Sequence, residues 1–209
     1  MEKVRRAKQA VLVIDMQNDY VHRQGAVQRY FRSKKDGRNL GAEGGATPAE
    51  LMAPRLAAFI TAAREMATRV IWIRTVNDEM TQSPLAAAQG KRFAWAGDEW
   101  GTAFYEGLVP EAEEAVVTKH RHSAFFETDL DLILRRQAVE TLILTGVSTP
   151  YCVESTARDA FARDYNVVTV ADCTASKVAG EHEKSLARLG RTFGCVSLAA
   201  EIIESWRTA

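Results

Sequence analysis

Six runs of apolar, largely β-branched residues punctuate the chain: AVLVI (10–14), RVIWI (69–73), AVVT (115–118), TLILT (141–145), NVVTVA (166–171) and TFGCVSL (192–198). They are continuous rather than alternating, which is the pattern of strands buried on both faces. Between most of them the spacing of apolar positions lengthens to a helical period. The clearest helix opens at Thr47, with Pro48 at its first position, Glu50 closing a capping box, and Met52, Leu56, Phe59, Ile60 and Ala63 forming the stripe to about residue 68. A second opens near Thr128, carries Asp129 and Asp131 in its first turn, buries Leu130, Ile133 and Leu134, and closes on Arg135 and Arg136. Others fit 150–164, 180–190 and 198–206. Strand alternating with helix predicts an α/β fold: an open, mostly parallel six-stranded sheet with helices on both faces.

Composition narrows the field. At 209 residues and 46% hydrophobic content, one compact domain over 1–209 is expected. Twenty-seven basic and twenty-seven acidic residues cancel, which argues against nucleic acid or an anionic membrane as partner. The basic start MEKVRRAK precedes an apolar run too short for a signal peptide, and no stretch is long enough to span a bilayer, so a cytoplasmic location is expected. Cys152, Cys173 and Cys195 lack the spacing of a disulfide framework or a zinc site. Two segments fall outside the pattern, the glycine-rich 34–46 and the stretch 89–108 with Trp95 and Trp100; loop or packing roles are expected for both.

Open parallel sheets place their sites beyond the carboxyl ends of the strands. Asp15 ends the first predicted strand, Lys119 follows the third, and Cys152 lies just past the fourth. An acid, a base and a thiol can therefore converge. In STPYCVESTARDAF (148–161), Thr149 is expected to cap a helix with Pro150 at its first position. Cys152 then lies in the opening turn, where free N–H groups and the dipole favour a thiolate. Val153, Ala157, Ala160 and Phe161 would form its buried stripe, with Glu154–Arg158 and Asp159–Arg163 paired outside. Cys173 and Cys195 are expected in the core.

VLVIDMQNDY, VVTKHRHSAFFETDLDLILRR and LILTGVSTPYCVESTARDAFARDYNVVTVADC resemble, in order and spacing, the three signature blocks of the isochorismatase-like cysteine hydrolases. The resemblance covers most of the chain. It implies a Rossmann-like three-layer fold and a catalytic triad of Asp15, Lys119 and Cys152. It also implies a cis peptide between Val147 and Ser148, turning the Ser148 N–H beside that of Cys152 to form an oxyanion hole. Where metal-dependent nicotinamidases carry histidines after the second strand, this chain reads RTVNDEM (74–80), so no catalytic metal and no cofactor are expected. A cysteine at 152 departs from isochorismatases proper. SAFFETDLDLILR and CVESTARDAF are similar to the segments in enzymes that cut ureido and carbamoyl compounds, which implies an amidohydrolase acting on a small linear amide or ureide.

For substrate contacts, Gln17 and Asn18 after the first strand, and His120, Arg121, His122 and Phe125 after Lys119, are the candidates; Arg121 is the expected partner of a substrate carboxylate. His22 and His182 show no convergent pattern. A dimer or tetramer is expected from the tryptophan-bearing segment and the resemblance. The alternatives are a metal-free amidase of ring carboxamides such as nicotinamide, and a silent binding or assembly relative.

Overall fold

A computed structural model describes residues 8–33, 45–178 and 180–208. The strands are β1 (Gln9–Ile14), β2 (Arg69–Thr75), β3 (Ala115–Lys119), β4 (Thr141–Val147), β5 (Asn166–Ala175) and β6 (Cys195–Ser197). All pairings are parallel, in the order β3-β2-β1-β4-β5-β6. Chain order reverses between β1 and β4, so the crevice above their carboxyl ends is the switch point where such sheets bind ligands.

The pleat of β1 explains the layers. Val11 and Val13 point to one face, against Leu56, Phe59 and Ile60 of a helix spanning Pro48–Glu65, and Ile202 and Trp206 of one spanning Ala199–Thr208. Ala10, Leu12 and Ile14 point to the other, against Leu130 and Leu134 of the helix Leu130–Arg136, and Ala157 and Ala160 of the helix Glu154–Phe161. Both faces are dry, which is why the strand reads as unbroken apolar sequence. The capping box forms as expected: the Glu50 N–H donates to Thr47 Oγ1 at 3.0 Å and the Thr47 N–H to Glu50 Oε2 at 2.7 Å. Trp206 stacks on Phe59 at 5.3 Å and donates its indole N–H to Gln9 Oε1 at 2.8 Å.

Several expectations are corrected. Phe161 is 50% exposed and meets Phe193 edge-on rather than joining the stripe. Glu154 is buried, not outside. Cys173 is buried, but Cys195 is exposed on the short edge strand β6. Thr149 does not cap: the residue before the turn is Ser148, without a side-chain cap bond, and Thr149 Oγ1 meets His182 Nδ1 at 2.9 Å.

The segment 89–108 is held over the end of β1 by polar side chains. Ala94 N–H donates to Asp19 Oδ2 at 2.7 Å, Asn18 Nδ2 to Trp100 O at 2.8 Å, and Gln17 Nε2 to Thr102 O at 2.8 Å. Residues 34–44 of the glycine-rich stretch lie outside the described residues. No described helix is long and apolar enough to cross a membrane.

Candidate active site

Asp15 leaves β1 in the left-handed region, with φ of 51°, and its side chain is wholly buried. A carboxylate without water needs charged or hydrogen-bonding partners. Oδ1 accepts the Thr75 hydroxyl at 2.9 Å, and Oδ2 faces Lys119 Nζ at 2.8 Å. Lys119 is the last residue of β3 and pairs in register with Thr75 of β2. Since β2 separates β1 from β3, Thr75 bridges the gap: it donates to Asp15 and accepts from Lys119 Nζ at 2.7 Å. Sequence reading passed over Thr75, although its place at a strand end is the same signal that marked Asp15. Lys119 Nζ also donates to Arg121 O at 3.0 Å and lies 3.5 Å from Cys152 Sγ. Burial works against its charge, but Asp15 and the sulfur oppose this, and its pKa is raised.

Cys152 does not sit in an α-helical first turn. Thr149–Val153 form a π-helical turn that runs into the helix Glu154–Phe161. The wider turn sends the Tyr151 and Val153 N–H groups back to Ser148 O, at 2.9 and 3.4 Å. The Cys152 N–H falls between these two amides. The peptide between Val147 and Ser148 is cis. Just before it, Gly146 has φ of 95°, and a Cβ there would meet Ile14 O at 2.1 Å, so β4 approaches β1 as only glycine permits.

The expectation of a resting thiolate is also corrected. Burial pushes the Cys152 thiol up, the Asp15 charge and hydrogen bond push it further, and Lys119 only partly offsets them, leaving it at about 12. The ammonium is nearer the carboxylate than the sulfur, and the thiol rests neutral. His122 Nδ1 lies 3.6 Å from Sγ, with its ring stacked on Tyr151 at 5.9 Å. Burial within the cavity wall and the Lys119 charge lower its pKa, so the ring is neutral near pH 7.

Cys152 and Lys119 line a cavity of about 640 Å³, a size suited to a small molecule. Arg121 lines it too, with Nη1 donating to Thr81 O and His120 O, each at 2.8 Å. Three other candidates do not face it. Gln17 is wholly buried and spends its amide on Thr75 and Thr102, Asn18 is tied to Trp100, and Phe125 packs on Tyr165 beneath Arg163. Tyr20 and Lys177, both missed in the sequence, line the cavity instead. Among the described residues, no group of three His, Cys, Asp or Glu side chains is placed to hold a metal ion.

Glu154 anchors the cysteine turn to the helix Glu181–Arg188. It accepts from Arg158 at 2.7 Å and Arg188 at 2.8 Å, and from Ser185, whose hydroxyl also reaches Thr149 O at 3.2 Å. Burial would raise its pKa, but the bonds from Arg188, Ser185 and Arg158 outweigh it and hold the carboxyl at about 2. A depressed folded pKa gives stability that is complete above the unfolded value of ~4.3 and lost as pH falls through about 2. The stability advantage of the native chain over Glu154→Gln is therefore expected to be greatest above about pH 4.5 and to shrink on acidification toward pH 2, read from urea midpoints. An advantage unchanged across that range contradicts the assignment.

Comparison with known proteins shows which family has this six-strand parallel sheet. The chain belongs to the isochorismatase domain family, whose model matches residues 9–201. Among curated relatives, the ureidoacrylate amidohydrolase RutB of Methylobacterium radiotolerans is 42% identical over 105 residues, 49% of this chain but only 40% of that protein. The protein of the same name from an Enterobacter species is 29% identical over 216 residues, covering 94% of this chain and 88% of the relative. An isochorismatase-like hydrolase from Alkaliphilus metalliredigens shares the fold with a TM-score of 0.80 at 32% identity, over 95% of this chain and 99% of that one.

Proposed function

We propose that this protein is a cysteine-dependent amidohydrolase that cleaves a linear C–N bond in a small ureide or amide. One observation carries the reading: the Cys152 thiol lies 3.5 Å from the Lys119 ammonium, which in turn sits 2.8 Å from the Asp15 carboxylate, and it opens onto a cavity of substrate size.

Asp15 takes the thiol proton as the sulfur attacks the carbonyl carbon. The new C–S bond leaves negative charge on the carbonyl oxygen, which the Ser148 and Cys152 N–H groups receive. With a thiol held near 12, a free thiolate does not accumulate; ionisation accompanies bond formation, so a bare buried anion is never formed. In this step the negative charge passes from the Asp15 carboxylate to the carbonyl oxygen, with Lys119 held 2.8 Å from the carboxylate and 3.5 Å from the sulfur. Asp15 then gives its proton to the departing nitrogen as the C–N bond breaks, releasing ammonia or an amine. Water, deprotonated by the same carboxylate, attacks the thioester or thiocarbamate, and the sulfur leaves as the thiol.

The names of the curated relatives favour a ureido compound. Ammonia release from ureidoacrylate, biuret, N-carbamoyl amino acids and nicotinamide tests the reading. The highest kcat/KM is expected on the ureido acid. A higher value on nicotinamide points to a ring-carboxamide amidase, and no ammonia from any of them overturns the proposal.

A further inference from the structure

The cavity wall is electrically one-sided. Lys91, Lys119, Arg121 and Lys177 line it together with His120 and His122, and among the described residues no Asp or Glu does. The chain as a whole has a formal net charge of zero, so the imbalance is local. Asp15, which answers Lys119, lies wholly buried beneath the wall. An uncharged substrate gives no use for such a lining, whereas an anion is drawn into it.

The cations are not equivalent. Lys119 is bound up with Asp15 and Thr75, and Arg121 is exposed and pinned to two carbonyls. Lys177 follows the carboxyl end of β5, beside the β4 end that carries Ser148 and Cys152. Its ammonium lies 4.6 Å from the Phe31 ring and has no ion pair or hydrogen bond among the described residues. Burial pulls its pKa down to about 7, with Cys152 opposing.

We propose that Lys177 is the receptor for a carboxylate on the substrate, and that the cavity therefore selects ureido acids over uncharged ureides. This rests on the ureide reading above and assigns the role to Lys177 instead of Arg121. A carboxylate placed there gains a charge-assisted hydrogen bond in a partly dry site, and its charge restores full protonation of the amine. The phenyl ring of Phe31 confines the ammonium on one side, leaving the cavity side for the ligand.

Calorimetric titration of the Cys152→Ala protein with 3-ureidopropionate and with propylurea tests this without turnover. The acid is expected to bind at least about 10-fold tighter than the neutral ureide. Adding Lys177→Met should weaken acid binding about 10- to 100-fold and leave propylurea unchanged, while Lys177→Arg keeps most of the preference. Lys177→Gln serves if the methionine variant does not fold. Equal affinity for the two ligands, equal loss for both, or loss of the acid preference in Arg121→Ala with none in Lys177→Met overturns the proposal. If the acid binds in this pattern but the native enzyme releases no ammonia from it, the ureide reading fails and the carboxylate receptor stands.

Discussion

Replacing Cys152 with alanine is expected to lower kcat/KM by roughly 10⁴-fold or more, because the other cavity-wall hydroxyl bonded to Asp15, that of Thr75, is a far weaker nucleophile than a thiol and already bridges Asp15 and Lys119. The loss will not come from unfolding. Cys152 is a small side chain at 6% exposure, and its truncation removes one sulfur atom, at a cost of about 1 kcal/mol. Mass spectrometry of rapidly quenched native enzyme should find the acyl or carbamoyl group on the peptide containing residue 152, and none in the alanine variant. Cys152→Ser is expected to be nearly as inactive, since an alcohol is a far weaker acid than a thiol. Turnover within about tenfold of native in Cys152→Ala would exclude covalent catalysis at this sulfur.

The second large effect is on stability. Lys119→Met removes the cation from a carboxylate that is 0% exposed, leaving Asp15 with the Thr75 hydroxyl as its side-chain donor among the described residues. Breaking one side of a buried pair costs about 3–5 kcal/mol. In a chain of this length each kcal/mol moves Tm by about 2–4 °C, so a fall of roughly 6–20 °C is expected. Adding Asp15→Asn removes the stranded carboxylate, and the double variant Asp15→Asn/Lys119→Met should recover more than half of the loss. Both variants should be inactive. Calorimetry and the ammonia assay together separate the two contributions of Lys119: stability returns with the second substitution and activity does not. Additive losses in the double variant would mean that the two residues do not act as a pair.

What could be read from the sequence was set by the range of the forces involved. The strands around Val11, Ile71 and Ile143 announce themselves because burial on both faces demands unbroken apolar runs. The helix after Thr47 does so because its capping box is a local, four-residue device. The π-helical turn at Thr149–Val153 could not be foreseen, since nothing in TPYCV distinguishes it from an ordinary helix start. It decides which amides remain beside the sulfur. The ionisation of Cys152 was misjudged for a related reason: the helix start is a local effect, whereas burial and the Asp15 charge come from strands far away in sequence. Gln17 misled because a polar residue after a strand can either serve a ligand or tie a loop, and only the distant Thr75 and Thr102 carbonyls decide. Lys177 was overlooked because its place on the cavity wall depends on elements far apart in the sequence.

The seam at Ile14 and Gly146 divides the site by permanence. The proton transfer proposed above rests on side chains fixed at strand ends: Asp15, Thr75 and Lys119 on one side and the cysteine turn on the other, at a separation that admits no added methyl group. The cavity-lining Lys91, Arg121 and Lys177 stand instead on connections outside the strands. A descendant of this chain is thus able to change its diet while keeping its chemistry.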